Sequence, residues 1–170
     1  AGELTLTHPD LGEITANPAA NGQRIADWIA PIAAPSGPPP YRIVSLPGGN
    51  FHDFEDTHIS IGNLASLRAL EEMAGMTLDR IRFRMNLWVD GAAPWEEFDW
   101  DGQEIALGDA RLKITGRVKR CNATNAEPTT GKRNTEIPKL LHERFNHMDF
   151  GLYAQVTKGG EIRIGDGITL

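Results

Sequence analysis

The chain has 170 residues, of which 40% are hydrophobic and 24% are charged, and its formal net charge is −6 at pH 7. This composition is typical of a soluble globular protein long enough to bury a core. The acidic balance argues against general affinity for nucleic acid or an anionic membrane. A single cysteine excludes an internal disulfide, and no apolar run is long enough to span a bilayer. We therefore expect a reducing, cytoplasmic location.

The N-terminal quarter of the sequence is predicted to be a separate part. Residues 1–8 alternate in a way typical of a strand, and Asn21 to Ala30 presents one apolar face, which predicts a short helix. Ala33 to Pro40 is rich in proline and predicts a stiff, extended linker. We expect residues 1–40 to form an N-terminal appendage with its linker, and residues 41–170 to form the main domain.

The main domain is predicted to contain many short strands separated by turns. In chain order they are Tyr41 to Leu46, Ile81 to Val89, Glu97 to Trp100, Gln103 to Leu107, Arg111 to Ala123, Tyr153 to Thr157, Glu161 to Ile164 and Ile168 to Leu170. Within the second of these, alternation places Arg82, Arg84 and Asn86 on one face and apolar residues on the other.

Two helices are predicted between these strands. Asn63 can cap a helix that extends to Ala74 and is closed by Gly75. A second helix is predicted from Pro138 to Phe145, because proline is favoured in the first helical turn. Short strands with tight turns and few helices favour an α+β, β-rich domain, built as a barrel or a strongly coiled sheet.

The single cysteine, Cys121, follows a strand-like run from Ala110 to Val118 that delivers it to a loop. Lys119 and Arg120 precede it directly, and positive charge near a cysteine favours the thiolate, the form that binds metals and attacks electrophiles. Free cysteine is also among the most buried residue types. The residues alone leave both a reactive and a buried, inert cysteine open.

Other candidate motifs carry little functional signal. The spacing of His142 and His147 does not match the zinc-protease helix. The acidic residues Glu96, Glu97, Asp99 and Asp101 flank a predicted turn, which favours a solvated loop over an acid/base pair. Burial of Arg84 is costly unless it meets a carboxylate of the chain or an anionic ligand, and the sequence leaves both possibilities open.

Several segments together resemble the MOSC family, the molybdenum cofactor sulfurase C-terminal domains. They are Asn63 to Leu70, Arg82 to Asn86, Trp95 to Glu97 with Trp100, Arg120 to Thr124 with Glu127 to Gly131, and Asp149 to Tyr153. They occur in the expected order between Tyr41 and Leu170, and the cysteine loop is the most specific. The resemblance implies a MOSC-type β-barrel with a few flanking helices, preceded by part of an N-terminal β-domain.

The resemblance also implies chemistry. In the bacterial and mitochondrial amidoxime-reducing relatives the loop cysteine coordinates molybdenum, so Cys121 is expected to be both the catalytic residue and the metal ligand for a molybdenum cofactor (molybdopterin). The expected cofactor-binding residues are Asn63, Ser66, Arg84, Asn86, Arg120 and Thr124. The implied activity is an oxidoreductase that reduces N-hydroxylated small molecules with electrons from a separate redox protein.

Two departures and two alternatives accompany this interpretation. Met85 stands where the family commonly has proline, and Glu127 where it has aspartate.

One alternative function is a sulfur carrier that holds a persulfide on Cys121. The sulfur would come from a cysteine desulfurase partner, to which any pyridoxal phosphate would belong. The other is a non-catalytic small-ligand-binding β-barrel with an idle cysteine.

Overall fold

The computed structural model describes residues 2–33, 42–43 and 58–170. The chain divides into two compact units, Ala1–Asp53 and Phe54–Leu170. Three predicted features lie outside the described residues: the boundary between residues 40 and 41, the linker after Ala33, and most of the strand from Tyr41 to Leu46. The division into an appendage and a main domain therefore stays a prediction.

The first unit contains a β-hairpin and a helix. Strands β1 (Leu4–His8) and β2 (Gly12–Ala16) pair antiparallel, and helix α1 (Pro18–Ala33) follows. The Trp28 indole N–H donates to the Leu11 carbonyl across 3.2 Å, which ties the helix to the hairpin turn. The predicted N-terminal strand and helix are thus confirmed, the helix being longer than expected.

The second unit is built on a six-stranded mixed sheet. Its strands are β3 (Ile59–Asn63), β4 (Leu87–Val89), β5 (Glu104–Leu107), β6 (Ala110–Lys119), β7 (Asp149–Lys158) and β8 (Ile168–Thr169), in the spatial order β4-β3-β7-β6-β5-β8. β3 and β4 run parallel, whereas the other neighbours pair antiparallel. Three register shifts interrupt the long β6–β7 pair, and such irregularities increase local twist. The sheet curls into a half-barrel, which confirms an α+β, β-rich fold.

Helices and 3₁₀ turns connect the strands of this sheet. The helices are α2 (Leu64–Ala74) and α3 (Ile137–Phe145), and the 3₁₀ segments are Arg80–Phe83, Glu96–Trp100 and Asn122–Asn125. Both predicted main-domain helices are confirmed, and Asn63 and Gly75 cap α2 as expected. No helix among the described residues combines the length and apolar character that crossing a membrane requires.

Two apolar clusters hold the second unit together. One is formed mainly by strand residues such as Ile61, Leu112 and Leu152. The other joins α2 and α3 to the sheet and contains Phe83 and Phe150, whose ring centroids are 4.4 Å apart. Burying an aromatic side chain of this size contributes roughly 2–3 kcal/mol to stability, so this second cluster helps to hold α2 and α3 against the sheet.

The predicted strand from Ile81 to Val89 is wrong in its first half. Residues 80–83 form a 3₁₀ helix, because the Asp79 carboxylate accepts a hydrogen bond from the Ile81 N–H at 2.9 Å. Arg84 then adopts a left-handed conformation with φ 51°. Only Leu87–Val89 is a strand. Arg82, Arg84 and Asn86 consequently do not share one strand face.

Two further predicted strands are also absent at their positions. Glu96–Trp100 is a 3₁₀ helix. Residues 161–164 lead into a turn in which the Asp166 carboxylate accepts from the Arg163 N–H at 2.7 Å. In both places side-chain or local hydrogen bonds replace strand pairing, as polar turn residues commonly do.

Candidate functional site

Cys121 stands at the end of β6, where the chain leaves the sheet. Its thiol is free and exposed, so burial of the cysteine, one of the two possibilities that the sequence left open, is not observed. The residue precedes the 3₁₀ helix Asn122–Asn125 in the N-cap position. It lines a shallow cavity of about 390 Å³ together with Lys119, Arg120, Asn122, Pro138 and Met148. The thiol is therefore presented to solvent beside basic side chains.

The loop after Cys121 is fixed by its own hydrogen bonds. The buried Thr124 hydroxyl donates to the Cys121 carbonyl at 2.9 Å, and the Thr124 N–H donates to the same oxygen at 3.2 Å. Further along, Ala126 pairs with Arg133 as an antiparallel bridge, and the Glu127 N–H donates to the Lys132 carbonyl at 2.9 Å. Thr124, a predicted cofactor contact, thus has a visible role in shaping this loop.

Arg120 is buried directly behind the thiol. Its guanidinium donates to the Phe150 carbonyl at 2.7 and 2.9 Å and to the Phe83 carbonyl at 3.0 Å, and it lies 3.1 Å from the Met85 sulfur. Phe83 and Met85 flank Arg84. Arg120 therefore contacts the backbone before that exposed arginine and the Met85 side chain after it, and so connects the Arg84 turn to the chain directly before Cys121.

The charge of Arg120 is held in an apolar environment. Desolvation lowers the pKa of Arg120 to about 10, while the charges of Tyr153 and Cys121, when ionised, favour the protonated guanidinium. The side chain is still a cation at neutral pH. No carboxylate of the described residues pairs with it, and a buried cation without a counter-charge is unfavourable.

A second buried arginine, Arg82, contacts the same loop, and no sequence pattern distinguishes it from Arg84. Its guanidinium donates to the carbonyls of Thr124 and Asn125 at 3.4 and 3.3 Å and to the Asn134 side-chain oxygen at 2.9 Å. The Nε atom is buried without a hydrogen-bond partner among the described residues. Only the tertiary structure reveals this contact, because the partners lie 42 to 52 residues away along the chain.

Arg84 and Asn86 are both exposed but have different surroundings. Arg84 lies at the turn held by Arg120. The Asn86 side-chain oxygen accepts from the Ser60 N–H at 2.8 Å and from its hydroxyl at 3.0 Å, and Asn86 lines a separate cavity of about 710 Å³. Asn86 and Cys121 therefore line different cavities, and the cofactor roles of Arg84 and Asn86 stay predictions.

Asn63 and Ser66, at the start of α2, are fully buried and contact a carboxylate of the chain itself. The Asn63 amide and the Ser66 hydroxyl each donate to Glu97 Oε2 at 2.8 Å. The Asn63 oxygen also accepts from the Ala65 N–H. A helix N-terminus favours an anion, and in this structure the Glu97 carboxyl group occupies that position. The assignment of Asn63 and Ser66 to the cofactor stays a prediction.

Glu97 was expected in a solvated loop, and this expectation is wrong. The side chain is completely buried, and its Oε1 atom has no hydrogen-bond partner among the described residues. Desolvation raises the pKa of Glu97, against the opposing effect of the hydrogen bonds from Asn63 and Ser66. The neighbouring Glu96 and Asp99 are exposed, as predicted.

Charge is unevenly distributed along the sequence. Residues 111–133 contain seven basic residues and one acidic residue, in a chain whose formal net charge is −6. In the described part of the chain, no group of three or more His, Cys, Asp or Glu side chains could hold a metal ion. A metal at Cys121 would consequently need most of its ligands from a cofactor.

Comparison with known proteins identifies relatives of the second unit. A family model described as MOSC domain matches residues 48–169. Human molybdenum cofactor sulfurase is 32% identical over 92 residues, which cover 54% of this chain and 10% of that protein. Rat mitochondrial amidoxime reducing component 2 is 31% identical over 98 residues, covering 51% of this chain and 28% of that protein. Mouse mitochondrial amidoxime-reducing component 1 is 27% identical over 118 residues, covering 62% of this chain and 34% of that protein.

Proposed function

The chain belongs to the MOSC domain family, as the sequence resemblance predicted, and from that premise we propose that it binds a molybdenum cofactor at the Cys121 loop and acts as an oxidoreductase. The chain spans about a tenth of the sulfurase relative and about a third of the amidoxime-reducing relatives. The activity, substrate and partner are therefore proposed for this chain and not transferred from whole proteins.

One observation carries the proposal: an exposed thiol lies near two buried arginines whose hydrogen-bond acceptors, among the described residues, are all uncharged. A thiolate is a soft ligand that suits transition metals. Guanidinium groups suit phosphate and other anions. The donor chemistry of these residues fits an anionic, metal-bearing cofactor, because such a group would add the negative charge that Arg82 and Arg120 lack.

Each residue has a defined part in this proposal. Cys121 is the protein ligand to molybdenum, and Arg120 and Thr124 hold the thiol and the adjacent backbone in place. Arg84 and Asn86 are proposed contacts to the organic part of the cofactor, whereas Asn63 and Ser66, predicted in the same role, are fully buried against Glu97 and are proposed to support the site only indirectly. When bound, the cofactor supplies two-electron redox chemistry, such as reduction of an N-hydroxylated small molecule.

Electrons must come from a separate redox protein in this proposal. One cysteine cannot hold an iron–sulfur cluster. A free, exposed thiol is also consistent with the proposed cytoplasmic, reducing location. The basic residues around Cys121 would favour approach of a donor with an acidic face.

The test is molybdenum content after expression in cofactor-producing cells. We expect near-stoichiometric molybdenum in the wild-type chain and a loss of about tenfold or more in Cys121→Ser, because a hydroxyl is a poor ligand compared with a thiolate. Cys121→Ser should keep the wild-type melting temperature, since the thiol is exposed. Absence of molybdenum from the wild-type chain would overturn the proposal.

A sulfur carrier is the second candidate, and the exposure of Cys121 together with the sulfurase relatives favours it. In that case a pyridoxal-phosphate cysteine desulfurase transfers sulfur to the thiolate, which becomes a persulfide. Intact-mass measurement after incubation with a desulfurase and cysteine should then show one added sulfur atom that is absent in Cys121→Ser. If neither molybdenum nor sulfur is found, a non-catalytic small-ligand-binding barrel is the remaining interpretation.

A further inference from the structure

The residues around Arg82 suggest a role that neither the family match nor the sequence assigns. Arg82 lies in the 3₁₀ helix Arg80–Phe83 and is 7% exposed, whereas its neighbour Ile81 is 66% exposed. The polar side chain is thus directed inwards and the apolar one outwards. Arginine is usually exposed and isoleucine usually buried. The reversed burial of these two residues is explained by the contacts of the Arg82 guanidinium.

The contacts of Arg82 join the two ends of the cysteine loop. Nη1 is shared between the carbonyls of Thr124 and Asn125, at the end of the 3₁₀ helix that begins after Cys121. Nη2 binds the Asn134 side chain, where the hairpin returns. The Asn134 N–H in turn donates to the Asn125 carbonyl at 3.0 Å. The Arg82 guanidinium therefore links the start and the end of the segment from residue 122 to residue 134.

The charge of Arg82 is not explained by an ion pair. None of the described carboxylates lies within 4.0 Å of it, and its Nε is buried without a partner among the described residues. A cation without a counter-ion is a poor choice for stability alone. The fork of donors, in contrast, is well suited to holding several carbonyl oxygens at fixed relative positions.

We propose that Arg82 is a positioning residue for Cys121: its guanidinium fixes the segment 122–134 and thereby sets the orientation of the thiol toward its metal or sulfur ligand. The effect on metal or sulfur binding rests on the proposed function, whereas the contacts of Arg82 with the segment 122–134 do not. Loss of the guanidinium frees the loop while the sheet remains intact, because β6 and β7 pair independently of it.

The first test is amide hydrogen exchange of the purified chain, without cofactor. In Arg82→Met we expect exchange at residues 122–134 to rise about tenfold to a hundredfold, as expected for the loss of hydrogen bonds from a charged donor. Arg82→Lys should recover part of the protection because one ammonium can still bind a carbonyl. Arg80→Met is the matched control, since Arg80 is an exposed arginine of the same 3₁₀ helix.

The second test is the molybdenum content of the same variants. We expect the order wild type, Arg82→Lys, Arg82→Met, with Arg80→Met like the wild type. If Arg82→Met does not fold, Asn134→Ala replaces it: this residue is exposed, and removing its oxygen should raise loop exchange about threefold. A wild-type chain without molybdenum overturns the proposed function but leaves the exchange result valid.

Two hydrogen-exchange results would overturn the role of Arg82. One is exchange at residues 122–134 that matches the Arg80→Met control in Arg82→Met or, if that variant does not fold, in Asn134→Ala. The other is a rise of equal size in β6 and β7, which would show that Arg82 supports the whole unit and not the cysteine loop. Wild-type molybdenum content in a folded Arg82→Met chain would likewise contradict a positioning role.

Discussion

The second unit contains two kinds of buried charge, and the structure balances them differently. The Glu97 carboxylate accepts hydrogen bonds from Asn63 and Ser66 at the N-terminus of α2, where the helix dipole favours negative charge. Arg82 and Arg120 instead donate to neutral carbonyls. The Glu97 carboxylate is stabilised by hydrogen bonds and by the helix dipole. The two arginines have no such compensation among the described residues and place positive charge near an exposed thiol. This difference is the reason why we propose the Cys121 loop, and not the Glu97 cluster, as the site of an anionic ligand.

The largest stability effect is expected at Arg120. Replacement by methionine leaves the carbonyls of Phe83 and Phe150 buried without their donors, and hydrogen bonds to a charged group are worth about 1.5–3 kcal/mol. We expect Arg120→Met to lower the free energy of unfolding by about 2–4 kcal/mol in urea titrations.

The matched control for Arg120 is Arg117→Met, in strand β6 just before it. Arg117 is exposed and stacks over the Phe98 ring at 4.3 Å, so its loss should be much smaller, about 0.5–1 kcal/mol. Equal losses in the two variants would show that the buried carbonyl contacts of Arg120 carry no special weight.

An intermediate effect with a pH dependence is expected at Glu97. Burial raises the pKa of Glu97 in the folded chain above the ordinary 4.5 of the unfolded chain. At pH values between the unfolded-state pKa and the folded-state pKa, the folded chain therefore binds more protons than the unfolded chain. The contribution of Glu97 to the free energy of unfolding therefore falls as pH rises through this window. In Glu97→Gln this fall should be absent, as measured by urea unfolding at a series of pH values.

Asp99→Asn provides the control for the pH series. Asp99 is exposed in the same 3₁₀ helix, so its variant should follow the wild-type dependence on pH. If Glu97→Gln and the wild-type chain have parallel stability profiles, then Glu97 is not held with a raised pKa.

The smallest effect is expected where an arginine does have a carboxylate partner. Arg68 pairs with Asp90 at 3.0 Å, but both side chains are largely exposed, and surface ion pairs contribute little. Arg68→Ala should leave the urea midpoint within error of the wild type. A shift approaching that of Arg120→Met would contradict the view that burial, and not pairing, decides which arginines matter.

The sequence predicted elements whose signals are local. Helix α2 could be predicted because Asn63 caps it and Gly75 ends it, and these residues act within one turn of the helix. The position of Cys121 at a strand end followed from the alternating run before it. Short-range capping and periodicity are encoded in neighbouring residues, so they can be read without the fold.

The failures have tertiary causes. Residues 81–86 alternate like a strand, but the chain turns at Arg84, where a guanidinium 36 positions further along the chain holds the adjacent Phe83 carbonyl. Glu96 and Glu97 are adjacent and chemically identical, yet only Glu97 meets Asn63 and Ser66. The role of Arg82 was missed for the same reason. None of these contacts leaves a pattern in the neighbouring sequence.

The central claim is that Cys121 supplies the protein's ligand to molybdenum. X-ray absorption at the molybdenum edge, on the wild-type chain and on any molybdenum retained by Cys121→Ser, tests it most directly. We predict one sulfur neighbour fewer around molybdenum in Cys121→Ser. An identical sulfur shell in both chains, at equal molybdenum content, would contradict the account.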